Sequence, residues 1–421
     1  MIPKKTCREK KHTGKNFRSR ADSYHQSFSV PFSYPVHFTR DVFDPANPLL
    51  ASVFGPQENG LPHRVMAFVD AGVVRADRRL VRRLENYFKS CAPAIRLMAT
   101  PVILPGGERV KNNWDVVRRV MTQLGRRHLC RHSYVLAVGG GSLLDMAGFA
   151  ASLVHRGLRL IRIPTTVLAQ DDAGVGVKNG MDEHGLKNFI GTFAPPRAVL
   201  VDFNFLRTLD DTHWRGGIAE AFKVAIIKDA AFFKRLERNA ANLRRRDATA
   251  MEKLVRRCAI LHLDHIRTSG DPFEMGTARP LDFGHWSAHK LEVLSGYAIS
   301  HGQAVAIGIA LDSAYAAAVG LITPDERDRI VTALERAGLP VWSNLLAVAG
   351  HGKRLRVLEG LDEFREHLGG RLTITLPAGI GSKIEVHKMD ESALAGAVRW
   401  LRERKKSVPS MPRASGNYLP R

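Results

Sequence analysis

The chain has 421 residues, 44% of them hydrophobic, and a formal charge of +22. That length and apolar content suffice for a large buried core divided between two domains, and no apolar run approaches the length that crosses a bilayer. The first thirty residues lack the apolar segment of a signal peptide, so a secreted disulfide scaffold is excluded and a cytoplasmic protein is expected.

The positive excess raises nucleic acid or an anionic membrane as a partner. Its placement points elsewhere: an N-terminal arm (Lys4, Lys5, Arg8, Lys10, Lys11, Lys15, Arg18, Arg20), the patch Arg244-Arg245-Arg246 and a run from Arg402 to Lys406, all read as solvated. No aromatic residues are interleaved with these cations as a stacking platform requires, so nucleic acid is not expected. Cys7, Cys91, Cys130 and Cys258 lie far apart without paired spacing and read as reduced thiols.

In chain order, residues 1–27 are polar, basic and aperiodic and read as a disordered extension. Val65-Met-Ala-Phe-Val-Asp70 reads as a strand, Arg78 to Phe88 and Trp114 to Leu124 as amphipathic helices, and Val135 to Val138 as a second strand. Leu143 to Val154 continues as a helix and Leu160 to Pro164 as a third strand. The alternation predicts a parallel sheet flanked by helices over 28–198. Past Pro195-Pro196 the period becomes helical: Gly216 to Leu243, Met251 to Thr268, His285 to Leu294, Gly302 to Val319 and Asp325 to Ala337 predict a mostly helical domain over 199–406. Within it Leu372 to Leu376 is a lone strand-like segment and Glu391 to Arg404 a closing helix, before a flexible tail at 407–421.

The apolar run from Val135 breaks into Gly139, Gly140 and Gly141 and restarts as a helix through Asp145. Without Cβ atoms such a turn brings backbone against a dinucleotide pyrophosphate, which the helix amides then face; a glycine turn made only for packing looks the same. Thr165 and Thr166 end the next strand at the carboxyl edge of the sheet, where open α/β sheets place ligands. In the helical half, Glu220, His285 and His301 could hold a divalent metal with one open position, although histidines at helix starts also serve as caps or core residues. His289 shares a helical face with His285 and is a candidate substrate contact. Asp172, Lys178, Lys187 and Asn188 lie among Gly174, Gly176, Gly180 and Gly185, a pattern that suits phosphate or polyol recognition and that a solvated loop shares.

Taken in order, Pro105-Gly-Gly-Glu-Arg-Val-Lys111, the Gly139 to Phe149 turn, Arg156-Gly157, Pro164-Thr-Thr-Val-Leu-Ala-Gln170, Asp172 to Lys178, Lys187-Asn188, Ala219-Glu-Ala-Phe-Lys223, Gly284-His285 and His301-Gly302 resemble the sugar phosphate cyclase family, whose best-known member is 3-dehydroquinate synthase. The likeness runs from about Asp70 to Lys405. Related metal-dependent alcohol and glycerol dehydrogenases typically carry a lysine where this chain has Gly148-Phe149.

The resemblance implies a dehydroquinate synthase-like fold, with a Rossmann-like α/β N-terminal domain and an α-helical C-terminal domain, and a homodimer that uses NAD and Zn²⁺ or Co²⁺. It implies that Asp70, Glu108, Lys111, Gly139, Gly140, Gly141, Asp145, Thr165, Thr166 and Lys187 contact NAD, and that Glu220, His285 and His301 bind the metal. Lys223, Lys178, Asp172 and His289 are then catalytic, while Arg156, Asn188 and Asp282 bind substrate. The implied reaction is transient oxidation by NAD, phosphate elimination, re-reduction, ring opening and intramolecular aldol closure of a carbocycle.

Departures from the dehydroquinate branch bear on the substrate. That branch typically reads Leu-Arg-x-x-Leu-Asn-x-Gly-His before its first metal histidine, whereas this chain has Ala278 at the arginine position and Asp282 at the asparagine position. A lysine that the branch directs at the substrate carboxylate falls at Asp264 in an ungapped reading. Positive charge lost and negative charge gained disfavour a keto-acid phosphate and favour a sugar phosphate without a carboxylate. The segment Gly360 to Gly369 lacks the branch's paired lysines and resembles valiolone-type cyclases, which use sedoheptulose 7-phosphate; Arg279-Pro-Leu-Asp-Phe-Gly-His-Trp with Ala288-His-Lys-Leu-Glu292 resembles a subgroup from biosynthetic operons. Arg279 could restore carboxylate binding, which leaves genuine 3-dehydroquinate synthase as the alternative, and a non-catalytic basic binding protein on this fold is the rival of another class.

Overall fold

The computed structural model describes residues 24–57, 60–184, 186–269, 271–273, 281–350, 352, 354–367 and 370–407. The basic arm up to Arg20, Gly185, Ala278, Arg279, Gly369 and residues 408–421 lie outside these ranges. Residues 24–33 carry no helix or strand and their side chains are exposed.

From Tyr34 onward the strands are β1 (Val36–Thr39), β2 (His63–Asp70), β3 (Ile95–Leu97), β4 (Val102–Leu104), β5 (Tyr134–Gly139), β6 (Arg159–Pro164), β7 (Lys178–Glu183), β8 (Leu186–Phe193), β9 (Ala198–Asp202), β10 (Ile374–Pro377) and β11 (Lys383–Val386). Seven of them form one parallel sheet in the order β1-β9-β6-β5-β2-β3, with β4 also paired to β2. Helices α1 (Leu49–Ser52), α2 (Ala71–Ala76), α3 (Leu80–Ser90), α4 (Trp114–Arg126) and α5 (Gly141–Leu153) belong to this half.

Alternate residues of β2 and β5 enter opposite layers: Met66, Phe68, Val135 and Ala137 pack with α4 and α5, while Val65, Ala67, Val69, Leu136 and Val138 pack with α3. Burial on both faces is why these strands read as unbroken apolar runs. The chain runs from β2 to β3 and β4 on one side, then returns to β5 on the other, so strand order reverses between β2 and β5. Open α/β sheets bind ligands at such a switch point, and here the carboxyl ends are Asp70 and Gly139.

The helical half comprises α6 (Asp211–Lys228), α7 (Ala230–Arg244), α8 (Ala248–Thr268), α9 (His285–Leu294), α10 (His301–Ala318), α11 (Pro324–Arg336), α12 (Glu359–His367) and α13 (Glu391–Ser407). The expected single helical stretch from Gly216 to Leu243 is two helices. Asp229 leaves the helix at φ −149° and its side chain accepts from Phe232 N at 2.8 Å, ending α6 and capping α7. The expected lone strand near Leu372 pairs with β11. β9 crosses the expected boundary at 198/199, so the sheet continues to Asp202. No helix among the described residues is long and apolar enough to cross a membrane, and Cys91, Cys130 and Cys258 are free thiols.

The glycine-rich segment after Asp172, expected as a loop, contains the antiparallel hairpin β7–β8. Its position is set by Arg162, an arginine buried completely in β6. The guanidinium donates to the carbonyls of Gly176 at 2.7 Å and Lys178 at 2.9 Å and to Asn179 Oδ1 at 2.6 Å, tying the hairpin to the sheet. Gly148 in α5 leaves room for that asparagine, since a Cβ there would lie 1.8 Å from Asn179 Oδ1.

Candidate functional site

Three helices converge because bare backbone lets them. A Cβ on Gly302 of α10 would lie 2.2 Å from the carbonyl oxygen of Gly216 in α6, and one on Gly308 would lie 2.0 Å from that of Gly284, which precedes α9. Gly284 itself sits at φ +77°, a left-handed conformation that starts α9 directly at His285. Asp312 of α10 completes the attachment, accepting from Gly284 N at 3.0 Å and from Trp286 Nε1 at 2.8 Å, on either side of His285.

The result brings ligand atoms of Glu220, His285 and His301 within 4.8 Å of one another. His285 Nδ1 faces the carbonyl of Phe283 at 3.0 Å and His301 Nδ1 faces Glu292 Oε2 at 3.3 Å. Both partners accept, so each Nδ1 carries the donated proton, and each Nε2 is the atom that would bind a cation once it has released any proton of its own. These Nε2 atoms stand 3.7 and 3.3 Å from Glu220 Oε1. A tetrahedral Zn²⁺ with bonds near 2.0–2.2 Å separates its ligands by about 3.4 Å, so the three side chains fit such an ion. Glu220 is 1% exposed, and neither of its oxygens has a hydrogen bond of good geometry among the described residues.

Charges around this point are closely balanced. Lys223 Nζ lies 2.5 Å from Glu220 Oε2. Burial works against the Lys223 ammonium, but Glu220, Asp172 and Asp282 outweigh it and hold the charge on. Asp172 is likewise penalised by burial and drawn well below the usual carboxyl range by Lys223 and His262; His262 Nδ1 is 2.8 Å from its Oδ1. Burial lowers His289 to about 3, helped by His285, so the imidazole is neutral. Its ring stands 5.5 Å from that of His285 and 6.1 Å from that of His301. Burial and the neighbouring Asp172 and Glu220 push Asp171 well above its ordinary range.

At the sheet edge, a Cβ on Gly139 would meet Leu143 Cδ2 at 2.6 Å and Asp70 Cβ at 3.0 Å, and one on Gly106 would overlap the Asp70 carboxylate. Asp70 Oδ1 accepts from Gly72 N at 2.6 Å at the start of α2. Gly140 and Gly141 are not at positive φ; they open the N-terminus of α5, whose first amides are free to face an anion. Thr165 is 1% exposed, and its hydroxyl finds no partner among the described residues. Thr166 Oγ1 accepts from Ala169 N at 3.2 Å. This cradle of bare backbone with an unpartnered hydroxyl fits a dinucleotide.

Two lysines line the cradle, and one of them reaches the partner of His301. Lys111 Nζ donates to Asp145 Oδ2 at 2.9 Å and to Asn188 Oδ1. Lys187 Nζ lies 3.0 Å from Glu108 Oε1 and 2.7 Å from Glu292 Oε1. Burial pushes the Glu108 carboxyl up, but Lys187 and Lys111 outweigh it and bring it down to about 2.

Comparison with known proteins bears on this arrangement. The 3-dehydroquinate synthase N-terminal family model matches residues 101–216, and the C-terminal model matches residues 217–355. The chain belongs to the 3-dehydroquinate synthase family of sugar phosphate cyclases. Among relatives, the 3-dehydroquinate synthase of Pelobacter propionicus is 40% identical over 242 residues, 57% of this chain and 67% of that protein. The 2-epi-5-epi-valiolone synthase of Streptomyces glaucescens is 35% identical over 360 residues, 85% of this chain and 88% of that one. Among solved structures, the 2-epi-5-epi-valiolone synthase ValA of Streptomyces hygroscopicus subsp. jinggangensis, with NAD+ and Zn2+ bound, superposes with a TM-score of 0.79 at 31% identity, covering 90% of this chain and all of that one.

Not every candidate residue of this cyclase joins the cluster. Arg156 is exposed at φ +64° ahead of β6, at the amino edge of the sheet. The six residues of β6 rise about 3.3 Å each, which leaves Arg156 ~20 Å from the carboxyl edge within one chain. Lys178 opens β7 with an exposed side chain. Asp264 is half exposed on α8 and pairs with Arg267 at 2.9 Å, whereas His262 of the same helix meets Asp172. The negative charge expected from Asp264 at a carboxylate subsite is therefore absent from this face. Arg246 is also no solvated cation, since it stacks 5.0 Å over the Trp214 ring and donates to Leu209 O.

Glu292, His262, Arg162 and Asp312 escaped the sequence reading. Glu292 alone left a trace, three residues after His289 on the same helical face. Asp312 carries a pH prediction. Burial raises its pKa to about 7 despite the two donated hydrogen bonds. The folded protein then keeps a proton that the unfolded chain releases at lower pH, so stability falls as pH rises from the ordinary carboxyl range to about 7. Melting temperatures of the wild type and of Asp312→Asn, compared from pH 4 to 8 (roughly the window this linkage spans), are expected to diverge in that direction; a gap independent of pH would refute it.

Proposed function

We propose that this protein is an NAD- and divalent-metal-dependent cyclase that eliminates phosphate from a sugar phosphate lacking a carboxylate, such as sedoheptulose 7-phosphate, and closes a carbocycle. It is then a carbon–oxygen lyase. The observation that carries the substrate class is Asp282, whose charge is felt by Lys223 and His285. Where the keto-acid branch keeps a neutral asparagine, this chain adds a carboxylate, and a substrate carboxylate beside it would meet like charge in a desolvated pocket. The 85–90% coverage of the two valiolone synthases supports the same reading.

Asp70, Glu108, Lys111, Gly139, Gly140, Gly141, Asp145, Thr165, Thr166 and Lys187 would hold the nucleotide, and Glu220, His285 and His301 the metal. When bound, NAD takes up and returns a hydride while Zn²⁺ or Co²⁺ polarises the substrate hydroxyl that is oxidised. Lys223, kept charged beside Glu220 and Asp172, stabilises negative charge on a substrate oxygen. Neutral His289 offers a hydrogen bond to the substrate, and Asn188, held by Lys111, orients a hydroxyl.

The test is phosphate release by the purified protein with NAD and Zn²⁺ or Co²⁺, offering sedoheptulose 7-phosphate and the dehydroquinate precursor in parallel. Release from the sugar phosphate is expected. Release from the keto acid alone would establish the second reading, 3-dehydroquinate synthase, which the 40% identity to the Pelobacter protein favours. Strong, sequence-independent binding of nucleic acid at physiological salt, by a protein that retains no metal, would overturn both in favour of a basic binding protein.

A further inference from the structure

Glu292 is 2% exposed and shared by two elements of the site. Its Oε1 takes Lys187 at 2.7 Å, and its Oε2 faces His301 Nδ1 at 3.3 Å. Lys187 divides its charge between Glu292 and Glu108, and Glu108 Oε2 accepts from Ser142 Oγ at 2.7 Å in the first turn of α5. A continuous path of polar contacts therefore joins the glycine turn to Glu220 through Ser142, Glu108, Lys187, Glu292 and His301.

We propose that Glu292 is a positioning residue that couples the nucleotide end of the site to the metal end, so that binding of NAD tightens binding of Zn²⁺. The inference rests on the functional reading above. By accepting from His301 Nδ1, Glu292 fixes the tautomer whose Nε2 faces Glu220, and a carboxylate partner makes that imidazole a stronger ligand. The strength of this effect depends on how much of the Glu292 charge Lys187 neutralises. When Lys187 and Glu108 engage a bound nucleotide, the lysine's charge is drawn away from Glu292, which then acts more fully on His301. Coupling of this kind is reciprocal, so Zn²⁺ tightens NAD by the same factor.

A second grouping, His289, Glu292 and His301, also brings its ligand atoms within 4.8 Å. Lys187 on Glu292 and the proton on His301 Nδ1 oppose a cation there, which leaves Glu292 to orient a ligand instead of serving as one.

The experiment measures the Zn²⁺ dissociation constant of the full chain by chelator competition, with and without NAD⁺ and without substrate. In the wild type NAD⁺ is expected to tighten Zn²⁺ about fivefold or more. Glu292→Gln should bind Zn²⁺ about 10- to 100-fold more weakly and lose the NAD⁺ dependence. Glu292→Asp, which keeps the charge, should recover part of that dependence. Lys187→Gln, which takes the neutralising charge off Glu292, should bind Zn²⁺ without NAD⁺ more tightly than the wild type does and show no further shift when NAD⁺ is raised to saturation, which provides the test should Glu292→Gln fail to fold. A wild type that binds both ligands with a shift below about twofold, or of opposite sign, overturns the proposal, as does an undiminished shift in Glu292→Gln. A wild type that binds neither ligand overturns the functional reading instead.

Discussion

Replacing Glu220 by Gln is expected to lower turnover at least about 1000-fold, equivalent to ~4 kcal/mol of transition-state stabilisation, while the melting temperature moves by less than about 4 °C. The amide keeps the volume of the side chain but removes the only carboxylate in the group formed with His285 and His301. A cation held there loses its one anionic ligand, and with it much of its affinity and its power to polarise an oxygen. The fold is spared because the Lys223 ammonium keeps two other counter-charges, Asp172 and Asp282. Removing one member of a buried ion pair costs most when the remaining charge is left unpaired, which is not the case here. Steady-state kinetics, bound-metal analysis and thermal melting on one preparation check all three expectations. Wild-type turnover would refute the role of Glu220, and a large fall in melting temperature would show that Asp172 and Asp282 do not support Lys223.

The second large effect is expected at Gly308. In an exposed helix interior, Gly→Ala stabilises by about 1 kcal/mol, and α10 would gain that amount. The added methyl would lie 2.0 Å from the carbonyl oxygen of Gly284 and 3.0 Å from Ser287 Oγ. Backbone cannot rotate away as a side chain can, so α9 must move or the contact must open. Overpacking of this kind costs about 1–3 kcal/mol and occasionally more. The net expectation for Gly308→Ala is a loss of ~2 kcal/mol together with Zn²⁺ binding weakened about 10-fold or more, because His285 begins the displaced helix. Gly125 in α4 is the control: a Cβ there meets nothing within 4 Å, so Gly125→Ala should stabilise and leave Zn²⁺ affinity unchanged. Melting curves and chelator competition on the two variants decide the matter. If Gly308→Ala behaves like Gly125→Ala, glycine contact is not what brings the three helices together.

Much of the architecture was legible along the chain because it rests on local physics. Strands buried on both faces are apolar along most of their length, as β5 is throughout, β2 is from Val65 to Val69 and β6 is apart from Arg159 and the buried Arg162; helices with one buried face repeat every 3.6 residues, as α3 and α4 do. The helix break at Asp229 escaped the pattern because hydrophobic periodicity continues across it, and only the capping geometry reveals the end of α6. The β7–β8 hairpin escaped for the opposite reason. Its glycines read as loop, and what anchors the β7–β8 ladder is the donation of Arg162 from the preceding strand.

The site divides in the same way. The sequence by itself determined which residue types were available at the strand ends and helix starts: a glycine turn beside Asp70, two threonines closing β6, and one glutamate and two histidines on three helices. Spacing left open whether those histidines were ligands, caps or core residues, and only the tertiary structure decided that Glu220, His285 and His301 share one point. It also decided that Arg156 and Asp264 stand away from that point, that His262 and Glu292 contact residues around it, and that Asp312 holds the start of α9. The physical reason is that orientation and burial depend on contacts between segments far apart in the chain. Where Gly308 meets Gly284, or Lys187 meets Glu292, neither partner carries in its own neighbourhood any sign of the other.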